Sequence, residues 1–334
     1  MLVLGDVFVT VFSTGGAGPL TALWTAGAWR SVIAVHRRRP IHRALAYVGP
    51  FLLIATVCIW YFILNAALVC LLRYDPWSAE QTTDGTPLTF LQTIYLVGAT
   101  LSTVGYGDLA PTKWPWTFVM NLYTFFASIV VTSSLSFLIS VVKAAVDRKA
   151  VAQSIFALGH TPAEFVRYAQ LHASDGRHMV PQVVSICAAL DNCAFEHLAY
   201  PILHYFHNPT WSRSPTRAAL VLSDAHFIYE NVLVDDLRPA SGALHLIESS
   251  LLTYTDVAAN RTTSMSKDED APIEGLLNEL HEVELEMRPQ EEWQNALEEY
   301  CERRRWLLAM CDEDGWSDDH YRRARPPADE KANG

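Results

Sequence analysis

An all-α membrane protein with an acidic, helical, water-facing half is the class this sequence predicts, and two apolar runs and one change of charge predict it. Residues 44–72 and 114–142 each hold 29 consecutive positions without a charged side chain, more than the roughly 20 needed to cross a hydrocarbon core of about 30 Å. The net charge of −11 over 334 residues divides unevenly: residues 1–150 carry +4 and the remainder −15. An apolar content of 50% excludes disorder throughout. The acidic half would repel a phosphate backbone, so a lipid bilayer and not a nucleic acid is the expected partner.

Residues 1–43 form an N-terminal segment. Met1 to Phe12 is apolar apart from Asp6 and too short to cross a membrane unaided, and it lacks the basic start and small-residue cleavage site of a signal peptide. Pro19 to Arg39 reads as an amphipathic helix at the membrane interface, opened by Pro19, anchored by Trp24 and Trp29 and ending in basic residues. Arg37, Arg38, Arg39 and Arg43 precede the first span, and Lys143, Arg148 and Lys149 follow the second. Positive charge marks the cytoplasmic side, which predicts a multi-pass protein of the cell (inner) membrane with its C-terminus in the cytoplasm. The connection from Arg73 to Pro87 then faces outside.

Between the spans, residues 88–101 are apolar and helix-permissive, with Pro87 suited to a first helical position, but they are too few to cross. Non-helical backbone at membrane depth is tolerated where protein buries it or where it lines a water-filled path. Directly after this stretch, residues 102–108 are Ser102-Thr103-Val104-Gly105-Tyr106-Gly107-Asp108. A dehydrated cation needs replacement oxygens. Gly105 and Gly107 permit a backbone whose φ alternates in sign, so that successive carbonyls point at one axis. Thr103 adds its hydroxyl at the inner end, while Val104 and Tyr106 turn away from the axis onto the short helix. The C-terminal dipole of that helix favours a cation.

On these residues the region 44–145 resembles the pore domain of two-transmembrane, pore-loop prokaryotic potassium channels, an ion-channel family related to the two-pore-domain potassium channels. The resemblance implies an outer helix (44–72), a pore helix (88–101), a filter (102–108) and an inner helix (114–142). It implies passive conduction with K+ as the permeating ion, no cofactor and no other metal. Ion sites fall on Thr103, Val104, Gly105 and Tyr106, with Gly107 completing the filter. It also implies a hydrogen bond behind the filter from Tyr95, where many members carry Trp, to Asp108. The inner span departs from many relatives in having no glycine hinge: Ala127 and Ser128 stand at that place. Of the hydroxyls from Thr132 to Ser136, Thr132 and Ser136 either line an aqueous cavity or bond back to their own helix. A desolvated potassium ion takes about eight oxygens from two layers of four, so a single filter sequence predicts a homotetramer. A weakly selective cation channel and a non-conducting scaffold or sensor are the competing readings, and a complete filter argues against the scaffold.

Beyond the spans, residues 146–262 read as a helical cytoplasmic domain. Thr161-Pro162-Ala163-Glu164 is a helix start, and further helices are expected near 181–190, 194–206, 216–234 and 240–254. Residues 263–334 read as an acidic linker, a coiled-coil-like hairpin and a disordered tail. Ile273, Leu276, Leu280, Val283 and Met287 have coiled-coil spacing. After Pro289 a second helix carries Trp293, Leu297, Tyr300, Leu308 and Cys311, completing a hairpin or joining a tetrameric bundle. No Gly-x-Gly-x-x-Gly, voltage-sensing arginine repeat or catalytic motif is present, so no enzyme is expected and this half names no ligand or protein partner. Cys187, Cys193, His197, His204 and His207 cluster in sequence, but without a C-x-x-C they read as packed or surface residues and not as metal ligands. The six cysteines lack a disulfide framework, Cys70 near the outer end being the one plausible exception.

Overall fold

A computed structural model describes residues 2–13, 15–36, 38, 42–172, 180–259 and 285–316. The chain divides into two compact units: residues 1–28 with 50–141, and residues 29–49 with 142–334. The predicted N-terminal segment of 1–43 is therefore shared between the two.

The first unit is built on α1 (Leu2–Phe12), the start of α2 (Pro19–His36), α4 (Val48–Tyr74), α5 (Phe90–Leu101) and the first part of α6 (Trp116–Phe156), with α3 (His42–Leu45) lying in the other unit. Two helices, His42–Tyr74 and Trp116–Phe156, are long and apolar enough to cross a membrane. Trp60, Leu64, Leu68 and Leu72 recur every four residues and so share one face of α4. They pack with Leu96, Val97 and Leu101 of α5, Met120, Ala127 and Val130 of α6, and Val3 and Val7 of α1. The inner helix does not stop at 142. No glycine or proline interrupts residues 116–156, and α6 continues unbroken through Ala127 and Ser128 to Phe156. Two three-residue strands qualify the all-α expectation: β1 (Ala79–Gln81) pairs antiparallel with β2 (Leu109–Pro111), Glu80 opposite Ala110.

Asp6 ties α1 into this unit. Its carboxylate is buried and accepts from the backbone amides of Leu20 (2.8 Å) and Thr21 (3.3 Å), the Thr21 hydroxyl (2.6 Å) and Trp60 Nε1 (2.9 Å). The first amides of a helix have no intrahelical acceptor and the helix start is electropositive, so a carboxylate from another helix serves there as a cap. Gly18 makes room for it, since a Cβ at 18 would lie 2.2 Å from Asp6 Oδ1. Of the two tryptophans expected as interface anchors, Trp24 is half-buried and Trp29 is buried against protein. Trp24 Nε1 donates to Thr56 Oγ1 at 3.0 Å. In the second unit Trp29 is buried, its ring centroid 5.4 Å from that of Tyr205.

The second unit packs α7 (Pro162–His172), α8 (Val180–Ala199), α10 (Ser241–Ala259) and the end of α6 around α9 (Pro215–Phe227). Every residue of α9 is buried. The helix starts where Ser214 caps the Arg217 amide and Pro215 takes the first position, and it ends in a π turn, Ile228–Val232, shorter than the predicted 216–234. The two helices expected over 181–206 are a single α8 followed by a 3-10 turn at Pro201–Tyr205, because Pro201 cannot continue the ladder. Of the coiled-coil positions, Ile273, Leu276, Leu280 and Val283 lie outside the described residues. Met287 bridges Leu233. The second helix is α12 (Leu297–Glu313), preceded by the short α11 (Gln290–Trp293). It packs on α9 and α10 of its own chain, burying Trp293, Tyr300, Leu308 and Cys311 in the core.

Charge is buried in this unit in pairs. Asp224 of α9 is fully buried, accepts from the Tyr300 hydroxyl at 2.7 Å and faces Arg304 Nε at 3.3 Å, both from α12. Phe227 stacks on Tyr300 with centroids 4.0 Å apart. Near the end of α12, His36, His42 and His207 gather around Trp316. His42 stacks on that ring at 4.4 Å, and His207 Nδ1, facing the Asp314 carbonyl, must be its donor. Burial lowers the pKa of His36 and brings that of His207 down to about 3, while burial lifts the Asp314 carboxyl to about 7. The predicted Cys/His group is thereby dispersed. His207 is turned to Asp314, Cys193 is buried with its thiol pushed up to about 11, and the His197 and His204 rings meet edge-on at 6.1 Å. Among the described residues no group of three or more His, Cys, Asp or Glu is placed to hold a metal ion. All six cysteines, Cys70 included, are free thiols.

Candidate functional site

The site is built at the C-terminal end of α5. The predicted start at Pro87 is displaced: Thr89 is the cap, its hydroxyl accepting from the Gln92 amide while Gln92 Oε1 accepts from the Thr89 amide. This reciprocal box satisfies two of the helix's unpaired donors, which a proline at the first position does not. Pro87 instead bridges Glu80.

At the other end of α5 the chain folds its amides back on the helix. Ser102 N donates to the Gly98 carbonyl (3.0 Å), Thr103 N to Thr100 (3.0 Å), and Val104 N and Gly105 N both to Ala99 (2.9 and 3.2 Å). The last carbonyls of α5, which have no intrahelical donor, are satisfied this way. Among the described residues, no hydrogen bond is made to the carbonyls of Thr103, Val104, Gly105 or Tyr106. The backbone turns positive in φ at every second residue: Thr103 at 61°, Gly105 at 56° and Gly107 at 80°. Alternation of this kind brings successive carbonyls toward one side of the chain, where a regular strand would alternate them. For glycine it is permissive; for Thr103, β-branched, it is strained, and such strain persists where the surroundings over-determine it. The positive φ of Thr103 was not read from the sequence, since only glycine announces that conformation.

The side chains of residues 102–108 are exposed in the single chain. Tyr106 lies over Tyr95 of α5, the rings nearly parallel (8°) with centroids 6.1 Å apart. Val104, expected on the pore helix, is 52% exposed. The Tyr95 hydroxyl reaches Asp108 Oδ1 at 3.5 Å, a long contact. Gly107 and Asp108 also meet Thr82, directly after β1: its hydroxyl shares one proton between their carbonyls at 3.2 and 2.9 Å, and its amide donates to Asp108 at 3.0 Å. Sequence reasoning missed this contact, because Glu80-Gln81-Thr82 is too short and polar to show strand alternation.

Along α6, Ala127, Val130, Ser134, Phe137 and Val141 form the buried stripe. Thr132 and Ser136 are exposed and stand on the opposite face. Earlier hydroxyls return to their own helix, Thr124 to Met120 (2.8 Å) and Ser128 to Thr124 (2.9 Å). Thr132 and Ser136 make no such bond among the described residues.

Residues 51–144, which contain all these groups, match a family model described as "Ion channel". Over 306 residues the chain is 29% identical to the uncharacterized membrane protein YdjJ of Bacillus subtilis (strain 168), covering 91% of this chain and 88% of that protein. No solved structure matches. The similarity to the Bacillus protein extends well beyond the matched ion-channel segment, so the helical second unit is part of what the two proteins share. A membrane protein carrying an ion-channel segment, most of it in the first unit, is what geometry and comparison together establish.

Proposed function

We propose that this chain is one subunit of a homotetrameric, potassium-selective channel of the cell membrane, its C-terminal unit cytoplasmic and regulatory. The observation that carries the reading is the alternating backbone at 103–107: amides folded back on the pore helix, carbonyls left to accept, positive φ at Thr103, Gly105 and Gly107. Four such strands about one axis would stack rings of carbonyl oxygens able to replace the hydration shell of K+. Conduction is passive. Each ion is held by two adjacent rings weakly enough to be displaced by the next, so no side chain takes up a proton or forms a bond. Thr103 closes the innermost site with its hydroxyl. Thr132 and Ser136, on the face of α6 turned away from its packing stripe, line the water-filled approach. The long Tyr95–Asp108 contact lies behind the filter.

The test is the reversal potential of purified protein in a bilayer with K+ on one side and Na+ on the other. A shift close to the potassium equilibrium value is expected, and Gly105→Ala, which puts a Cβ on a residue at φ 56°, should abolish the current. A reversal near zero would replace the potassium reading by that of a weakly selective cation channel. A current unaffected by Gly105→Ala would remove the filter from the conduction path.

A further inference from the structure

The outer end of the filter is held from two directions of unequal strength. From α5 come one side-chain hydrogen bond, Tyr95 to Asp108 at 3.5 Å, and the Tyr95 ring over Tyr106. From the outer ribbon come shorter hydrogen bonds, all through Thr82: its one hydroxyl proton shared between the carbonyls of Asp108 (2.9 Å) and Gly107 (3.2 Å), and its amide to the Asp108 carbonyl (3.0 Å). Gly107 has no side chain by which it could be fixed, so its orientation depends on what its backbone touches.

The ribbon is itself anchored to both long helices. Ser78 Oγ donates to the Leu72 carbonyl near the end of α4 (2.7 Å). Thr112 Oγ1 donates to the Trp77 carbonyl (2.6 Å) and Thr112 N to that of Ser78 (3.2 Å). Asp75 accepts from Trp116 Nε1, at the start of α6, at 2.8 Å. A continuous set of hydrogen bonds therefore runs from the ends of α4 and α6 through β1 and β2 to the carbonyls at the filter exit. Thr82 is its last member.

We propose that Thr82 is a positioning residue for the filter: its hydroxyl sets the direction of the Gly107 and Asp108 carbonyls and keeps the filter exit in its conducting form. Thr82 touches no permeating ion and acts through the backbone it holds. The role rests on the channel reading above and adds to it a stated origin for the rigidity of the outer mouth.

The informative pair is Thr82→Val, which keeps shape and amide and removes the hydroxyl, and Thr82→Ser, which keeps the hydroxyl. With the full-length protein in planar bilayers, Thr82→Val should lower the K+/Na+ permeability ratio and speed the decay of current at low external K+ by about fivefold, the effect of one ordinary hydrogen bond. High external K+ should slow that decay again, and Thr82→Ser should behave as the parent. Thr112→Val, which loosens the ribbon one step further from the filter, should shift the permeability ratio in the same direction but by less than Thr82→Val. A merely structural role for Thr82 predicts less protein and the same ratio and decay. Parent-like selectivity and decay in Thr82→Val would overturn the proposal. Hydrogen exchange over residues 103–109 in nanodiscs supplies a reading that needs no current: Thr82→Val, or Thr82→Ala where Val fails to fold, should raise it severalfold and Thr82→Ser should not. Unchanged exchange would defeat the positioning role even in a selective channel. A non-selective parent whose exchange still responds to Thr82 would defeat only the potassium reading.

Discussion

The two units of this protein return helix hydroxyls to their own backbone alike, as with Thr56 to Leu52 and Thr255 to Leu251, but they bury charge differently. In the first, the buried Asp6 is surrounded by neutral donors. In the second, charges are buried beside other charged or titratable groups: Asp224 with Arg304 and Tyr300, and Asp314 close to Arg148 and the histidines. An isolated buried charge is costly, and four donors drawn from α2 and α4 meet the carboxylate of Asp6. In the second unit the Asp224–Arg304 pair joins α9 to α12, and removing one member would strand the other charge in the core.

The largest effect that would sharpen this contrast is expected at Asp224. Asp224→Asn leaves Arg304 buried without its counter-charge, and α12 should lose about 3–5 kcal/mol of protection, the usual cost of breaking a buried pair from one side. Hydrogen exchange across 297–313 measures it. Asp6→Ala should cost less, about 2–3 kcal/mol over α1 and α2, because it exposes neutral donors and strands no charge. Equal losses in the two variants would break the distinction between the units.

How much the sequence revealed divides along the same line. The two long apolar helices and the positive-φ glycines after α5 are legible because their signals are local: unbroken apolar runs, and glycines two apart behind a short helix. Thr89 shows where such reading stops, since its capping box with Gln92 displaces a start that Pro87 seemed to mark. Thr82 and Asp108 are 26 positions apart and Asp224 and Tyr300 are 76 apart. No periodicity links residues at such separations, so the contacts holding the filter exit and the α9–α12 pairing were beyond pattern reading. The Cys and His residues from 187 to 207 show the reverse: neighbours in sequence, they do not form one group, for His197 and His204 meet edge-on while α8 and the turns after it direct Cys193 into the core and His207 to Asp314.

The smallest expected effect lies in the cluster around Trp316, where titrations of opposite sign meet. In that cluster His36 and His207 have values in the fold below the ordinary one, His207 at about 3; elsewhere in the same unit His226, against the Leu244 carbonyl, is lowered to about 4, all chiefly through burial. Their contribution to stability is whole above the unfolded value of about 6.5 and is lost as pH falls below it toward the folded values. Asp314, lifted to about 7, keeps its proton in the fold. Its contribution is whole below the unfolded value of about 3.9 and is lost as pH rises through about 7. Acidification from roughly pH 7.5 to 5.5 therefore weakens the second unit through the histidines and strengthens it through Asp314, with His207, His226 and Asp314 each contributing on the order of 1–2 kcal/mol. His207 and His226 together outweigh the one carboxylate, and His36 acts in the same direction, so the net effect is a loss. His207→Gln should shrink that loss and Asp314→Asn should enlarge it, read as exchange protection in α12 after correction for the intrinsic pH dependence of exchange. If both variants shifted the loss in the same direction, the two groups would not be titrating against each other, and the cluster at Trp316 would not be the source of the pH dependence.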